Sequence, residues 1–557
     1  MIPTWGAAFG ANAIFNSAEF RADLTHSAIP DKAAPGTTGT LTRATTKTWP
    51  NNDGNLVTGV AGEIGFTGAR RVDNLIRLGA AQSSTLAVAA NVTMTLPAGA
   101  YQFSMGAGTG TATFSGTGGA TGTLAASASA RTFVAKTISA GTLIVTASVA
   151  TLVDIQVVSM VAETDQTTIR EYVSVGVESA PYYHSSFVDG VKCFPYDLSG
   201  NPIAASTLLG YSAEGALANV LIQSNSLTTT WTNSNGVPTK DQIGPDGATS
   251  AWTVPGVILQ APAATLTAAT YTLSFFIKKT TGSQATYPVV AIYLNAGTTS
   301  AAAVTVDTTN GIVTAFTAIT GFTGVNGSAT CVSYSSSFWR VALTFTGTVA
   351  AYRVDVYGAS TVNPTQSTGA LGNIGGGNKA FYGFQLELGS FASSYIATTT
   401  IAVTRNADVL YYSGGDIASI KTLSATARRE VGVSSVGAIA VLSDGTLANR
   451  TGFYLNSATQ DIISGQVSSV DQWSIITSNA YTPGTFSKNA ESFAANDIKA
   501  SKDGVTQTPD VAATIPTVSR LEVGVVAGAN QLDGTVKGIY GWSHSLSQSE
   551  LNAVSAL

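Results

Sequence analysis

Short runs rich in Val, Ile, Thr, Phe and Tyr, separated by turn residues, recur along the whole of this chain. Tyr271–Lys278, Val289–Leu294 and Trp339–Phe345 read as strands by β-branched and aromatic enrichment, and Tyr352–Tyr357 alternates apolar with polar side chains. A period of two is the repeat of a pleated strand and is wrong for a helix. The same signal persists where charge almost vanishes: between Arg77 and Asp154 the only charged residues are Arg131 and Lys136. There Thr85–Val88, Val92–Leu96, Tyr101–Met105, Thr111–Phe114 and Thr142–Thr146 are punctuated by Pro97–Gly99 and Ser139–Gly141. Closely spaced short strands predict a small antiparallel sandwich. The whole chain is expected to be all-β, several antiparallel β-sandwich domains with few short helices. One helix is expected at Ser17–Leu24. A second should follow Ser547, which with Glu550 has capping-box spacing.

A chain of 557 residues is too long for one core, so three or four domains are expected. Only 11% of residues are charged, against about 25% in an ordinary domain. Disorder would pair low hydrophobicity with high net charge, whereas here hydrophobic residues are 44% and net charge is −5. Evenly spread, weakly acidic charge argues against a nucleic-acid partner. Lacking a basic amphipathic helix, or any apolar run near the roughly 20 residues of a span, the chain is not expected to insert in a membrane. Cys193 and Cys331 are too few and too far apart for a disulfide framework or a zinc site, and are expected as unpaired core residues. Met1–Trp5 lacks the basic and apolar regions of a secretory signal, so synthesis in a cytoplasm without secretory export is expected.

One long phrase carries a resemblance. It opens at Asn219–Ser226, passes Trp231, Asp246–Ala248 and Phe338–Trp339–Arg340, and closes on Tyr382–Ile396 (Tyr-Gly-Phe-Gln-Leu-Glu-Leu-Gly-Ser-Phe-Ala-Ser-Ser-Tyr-Ile). It resembles the carbohydrate-binding-module-like β-sandwich of structural proteins of tailed bacteriophages. Thr42–Trp49 resembles the opening segment of phage tail and appendage proteins, and Gly210–Ala216 their lead-in, with Leu217 and Ala218 where the family has Arg and Thr. A shorter echo of the lead-in stands at Gly68–Ile76. The end, Leu532–Trp542 followed by Leu546–Leu551, resembles a laminin-G/concanavalin-like domain. The resemblance implies jelly-roll and lectin-like sandwiches. The expected organisation is an N-terminal docking and hairpin segment (1–74), an inserted Ala/Gly/Thr-rich small sandwich (75–165) and a returning framework (166–215). A carbohydrate-binding-module-like jelly roll (216–412) and a laminin-G-like sandwich (413–557) follow. Tyr182–Tyr183 and Phe194–Tyr196 read as returning framework, and Asn51–Val57 as the turn and second strand of a hairpin.

Chemistry is sparse. Asp241, Asp246, Asp307, Asp355 and Glu387 sit in no motif that fixes a catalytic geometry, and His26, His184 and His544 fall in different blocks. No nucleophile elbow, P-loop or zinc-protease motif is present. Asn51–Asn55 superficially suggests a calcium loop, but Gly62 stands where a bidentate carboxylate is needed. No catalytic residue, metal or cofactor is therefore expected. Sugars are commonly held against aromatic faces, which makes Trp252, Tyr287, Tyr293, Tyr454 and Trp473 the glycan-contact candidates, while Trp231 and Trp339 are expected in the core.

The function these readings support is a structural virion protein, a tail-fibre or head-fibre appendage that attaches a phage to its host. Its partners would be other virion proteins, two further copies in a homotrimer, and a host cell-surface glycan. The alternatives are a capsid-decorating or collar protein without a receptor, and a tailspike depolymerase.

Overall fold

The computed structural model describes residues 14–25, 33–50, 55–67, 86–159 and 209–556, with short gaps inside these ranges and longer ones at 317–326 and 359–376. The framework residues Tyr182, Tyr183 and Phe194–Tyr196, the echo at 68–76, the turn at 51–54, and His26, His184 and Cys193 lie outside the described residues. Antiparallel strands dominate the described regular structure, as the alternation predicts. They build three sandwiches.

The smallest occupies 91–159. A four-stranded sheet, in the spatial order Gly122–Ala125, Thr111–Ser115, Gly141–Ala147 and Asn91–Leu96, shares a core with the three-stranded sheet Thr132–Ile138, Gly99–Met105 and Gln156–Ser159. Phe103 and Phe114 meet across that core at 4.6 Å between ring centroids. With almost no charge, this block relies on inward-facing Leu, Val and Phe, and its exposed positions are mostly Thr, Gly and Ser.

The second sandwich spans Leu217–Arg405 and pairs two six-stranded sheets. Tyr271, Leu273, Phe275 and Ile277 from one sheet and Val290, Ile292, Val354 and Val356 from the other fill a shared core with Trp231 and Phe384. Trp231 is buried and Trp339 packs half-buried against the same core, where the sequence places them. Cys331 is unpaired and half-buried on Gly327–Ser333, at the edge of its sheet.

The third sandwich is assembled from both ends of the chain. Its eight-stranded sheet includes Phe20–Asp23, Phe66–Thr67 and Gly210–Ala213 beside Thr422–Arg429, Ser487–Ala494 and Gly534–Trp542. Its seven-stranded sheet begins with Thr38–Thr42, paired with Val409–Ser413. The first and last blocks of the sequence partition therefore share both sheets, because the partners of the early strands lie hundreds of residues away. The 68–209 excursion leaves and returns on paired residues, Phe66 opposite Tyr211 and Thr67 opposite Gly210. Likewise Leu217 is opposite Arg405, so the jelly roll also hangs from two adjacent strands.

The helix expected at Ser17–Leu24 is corrected. Phe20–Asp23 is a strand along Gly538–Gly541, with Phe20, Ala22 and Leu24 buried in the core and Arg21 and Asp23 on the other face. Period-two burial there outweighs the helix propensity of Ala18, Glu19 and Arg21. The hairpin is shifted too: Thr38–Thr42 belongs to the sheet, and Lys47–Pro50 pairs with Leu56–Gly59. At the other end the helix Gln548–Ser555 begins with the capping box that the spacing predicts, Ser547 and Glu550 bonding reciprocally.

Candidate functional site

The phrase that opens and closes the second sandwich is a hydrogen-bonded clasp. Asn219 donates from Nδ2 to the carbonyls of Phe384 (3.1 Å) and Ile396 (2.9 Å), and its Oδ1 accepts from the amides of Leu221 and Leu386. Gln385 accepts the Ile396 amide at 2.6 Å and donates to Glu387 at 2.8 Å. Glu387 in turn accepts the Ser393 amide and hydroxyl at 2.9 and 2.6 Å. Tyr395 and Ser224 exchange a hydroxyl bond at 2.7 Å. Burial pushes the Glu387 carboxyl up, and the bonds from Ser393 and Gln385 with the charge of Arg340 oppose that shift. Every polar atom in such a clasp needs its partner, since a buried unpaired one costs about 1–3 kcal/mol.

Beside the clasp, charges from three sequence segments are buried together. Arg43 meets Asp408 at 2.6 Å, and Lys47 meets Asp408 at 2.6 Å and Glu214 at 3.0 Å. Arg405 adds a contact to Glu214 at 3.2 Å. The Ser394 amide donates to Glu214 at 2.8 Å, tying the jelly roll to the returning strand of the third sandwich. Despite the cost of its burial, Lys47 and Arg405 hold the Glu214 carboxyl well below the usual carboxylate range.

Between these layers lies a half-open cavity of about 200 Å³. Lys47 and Trp49 come to it from the opening segment, Glu214 from the lead-in, Arg340 from the Phe338–Arg340 phrase, and Ser394 and Tyr395 from the closing phrase. Four of the quoted phrases thus border one space, while Asn219–Ser226, Trp231 and Asp246–Ala248 do not. Four atoms of its lining are buried without a hydrogen-bond partner among the described residues: the Tyr334 hydroxyl, Arg340 Nε, Ser394 Oγ, and Glu214 Oε2, which is instead taken up in ion pairs with Lys47 and Arg405. Arg340 is held in place from elsewhere, donating to the Ser393 carbonyl and to Ser274 Oγ (3.3 Å) and lying 5.2 Å from the Phe276 ring centroid. An N–H and two hydroxyls beside the rings of Trp49, Tyr334 and Tyr395 suit a small hydroxyl-rich ligand. About 200 Å³ falls below the roughly 300–1,000 Å³ of drug-sized pockets, which suits one sugar unit.

The sequence-predicted aromatics lie elsewhere, and most turn inward. Trp252 is buried, its indole N–H bonded to the Asn225 carbonyl at 3.0 Å. Trp473 is in the core of the third sandwich, over Gly465. Tyr454 is buried beneath Arg450. Tyr293 is buried with its hydroxyl 3.2 Å from that of Tyr357, under the Arg353 guanidinium. Tyr287 is half-buried just ahead of Val289–Leu294. Trp252, Tyr293, Tyr454 and Trp473 are buried within their own sandwiches and none borders the cavity, so they are packing residues in this fold. Aromatic identity could not separate them from Trp49 and Tyr395, and neither could membership of the quoted phrases, which also contain the core residues Trp231 and Phe384. Of the acidic residues considered, Asp355 bonds Arg353 at 2.6 Å and Glu387 sits in the clasp. Among the described residues no group of three or more His, Cys, Asp or Glu is placed to hold a metal ion.

No protein-family model matches the chain, and no curated protein matches it. Among solved structures it is similar to the CBM40 of the Ruminococcus gnavus IT-sialidase bound to α2,3-sialyllactose. That match has 13% identity and a TM-score of 0.22, over 24% of this chain and 82% of the other. It is similar to mouse laminin α1 chain domains LG4-5 at 9% identity and a TM-score of 0.18, over 52% and 91%. A third similarity is to the heptameric SAP-like pentraxin of Limulus polyphemus, at 12% identity and a TM-score of 0.20, over 25% and 70%. Likenesses this distant carry no argument about ligand or activity.

Proposed function

We propose that this chain is an adhesive, non-enzymatic appendage protein of a tailed-phage virion that holds a host-surface saccharide in the cavity between its two larger sandwiches. One observation carries the binding half: a cavity bordered by four separate sequence phrases, with three buried hydrogen-bonding groups (the Tyr334 hydroxyl, Arg340 Nε and Ser394 Oγ) left without partners in its lining. Support for the virion half is the resemblance of those same phrases to phage structural proteins. A fibre subunit of this kind would act as a homotrimer, since its nearly uncharged small sandwich can approach other copies without burying charge.

The test uses the purified chain on an array of bacterial surface polysaccharides, beside Ser394→Trp, which fills the cavity, and Tyr334→Phe, which removes one hydroxyl. Specific binding that Ser394→Trp abolishes and Tyr334→Phe weakens, with thermal midpoints unchanged, is the expected result. Binding that both variants retain in full would remove the cavity from the account, and an array with no specific signal would remove adhesion. Immunogold labelling of particles and light scattering of the free protein test the virion and trimer parts.

A hydrolase is the second reading, because Glu214 and Glu430 line one cavity with proton affinities moved in opposite directions. Glycosidases divide acid and base in this way. Glu214, however, is already taken up by Lys47, Arg405 and the Ser394 amide, which favours the binding reading. Release of reducing ends from a bound polysaccharide, lost in Glu430→Gln, would reverse that preference.

A further inference from the structure

The outer face of the eight-stranded sheet in the third sandwich carries a cationic cluster unlike the rest of this acidic chain. Lys488 lies on Ser487–Ala494, Arg428 on Thr422–Arg429 and Lys537 on Gly534–Trp542, three adjacent strands. Lys537 stands at a register shift: Thr426 pairs with Gly538 and Ala427 with Val536, so Lys537 is the bulged residue. A bulge re-aims a side chain, and bulges concentrate near functional positions.

Aromatic rings hold the cluster together in place of carboxylates. The Lys488 ammonium lies 4.4 Å from the Phe15 centroid, and Arg428 and Lys537 lie 5.3 and 5.8 Å from that of Phe486. Among the described residues neither lysine forms an ion pair, and the Lys488 ammonium has a backbone carbonyl, that of Ala556, at 3.5 Å. Arg428 touches one carboxylate, the part-exposed Glu430, at 3.9 Å. Burial, and then repulsion from Lys537, pulls the Lys488 ammonium down to about 8. Three cations gathered and partly desolvated, with one of them meeting a carboxylate only at 3.9 Å, cost stability.

We infer that this face is a second binding site, for an oxyanion-bearing saccharide chain whose carboxylates, phosphates or sulfates supply the missing counter-charge to Lys488, Lys537 and Arg428. It is distinct from the junction cavity and does not depend on it. The rings position the cations from beneath, and the bulge brings Lys537 into line with Lys488. Bacterial envelopes present such anionic glycans, and a row of three cations favours a chain over a single ion.

The test is calorimetric titration of the full chain with de-esterified oligogalacturonate and with dextran sulfate, against neutral dextran of equal length. Expected is binding of both polyanions but not of dextran, weakening about tenfold or more between low and moderate salt. The double variant Lys488→Gln/Lys537→Gln should lose at least tenfold in affinity, Lys488→Arg/Lys537→Arg should retain it, and Ser394→Trp should leave it unchanged. Preference for one polyanion identifies the oxyanion. Equal binding of neutral dextran, or full binding by the glutamine pair, would overturn the inference. So would tighter, salt-sensitive binding of oligothymidylate, which would make the face a nucleic-acid surface. A glutamine pair that fails to fold is replaced by Phe486→Leu, which removes the ring beneath Arg428 and Lys537 and should weaken polyanion binding.

Discussion

Arg43 and Asp408 stand 365 residues apart in sequence and 2.6 Å apart in space, with neither side chain exposed to solvent. Asp408 also receives Lys47, so one carboxylate anchors two cations of the opening segment to the strand that follows the jelly roll.

Removing that carboxylate leaves buried cations without an anion. Asp408→Ala is expected to destabilise the chain by about 3–5 kcal/mol, the cost of breaking a buried pair from one side. Thermal unfolding should show the loss, and limited proteolysis should cut between the second and third sandwiches before either is degraded. A change below about 1 kcal/mol would mean that the pairs contribute little.

Glu491 lies between the sheets of the third sandwich, accepts from Thr451 at 2.9 Å, and is pushed up to about 8 by burial. Because the folded value exceeds the unfolded one, its contribution is fully present below about pH 4.5 and falls away as pH rises toward 8. Glu214 has the opposite sign: its lowered value means stability that is present above about 4.5 and lost in stronger acid. Glu491→Gln should flatten the decline between pH 5 and pH 8, raising stability at pH 8 by about 1–3 kcal/mol. A denaturant midpoint in that variant that still falls with pH as in the parent would refute the assignment.

Lys379 is buried, its partners among the described residues being the hydroxyls of Thr280 (3.2 Å) and Thr308 (2.8 Å), and burial pulls its ammonium down to about 7. A lowered folded value means stability lost as pH falls from about 10.5 toward 7. Lys379→Met should therefore raise the thermal midpoint at pH 6 more than at pH 9. Destabilisation at both pH values would show that the hydroxyl bonds outweigh the desolvation.

Gly465 is opposite Trp473 on the neighbouring strand, and a Cβ there would stand 2.2 Å from the indole. Gly465→Ala should cost about 1–3 kcal/mol by overpacking. The Trp473 fluorescence maximum should move toward that of an exposed indole, and an unshifted spectrum with unchanged stability would show that the ring has room to move.

Ser547 caps the helix that covers the eight-stranded sheet, accepting from the Glu550 amide. Ser547→Ala should lower stability by about 1 kcal/mol, with far-ultraviolet dichroism unchanged. Loss of the helix signal would mean that the cap nucleates the helix.

Much of this architecture is legible in local pattern. Tyr352–Tyr357 alternates because one face meets the jelly-roll core, and Ser547 with Glu550 announces a helix start three residues apart. The helix expected at Ser17–Leu24 gives way to the strand Phe20–Asp23 because so short a stretch contains too few periods to separate 3.6 from two. The aromatic candidates show a different limit: Trp473 and Trp49 each pack over a glycine of the neighbouring strand, Gly465 and Gly59, yet Trp49 borders the cavity and Trp473 does not.

Residue order by itself determined that this chain is all-β and which faces of its longer strands are apolar, because those properties depend on neighbours within a few positions. Tertiary structure alone decided that the first and last strands share two sheets, that Arg43 finds Asp408, and that four scattered phrases border one cavity. Pairing partners hundreds of residues apart are chosen by the packing of whole sheets and the need to neutralise buried charge, and no local window contains that information.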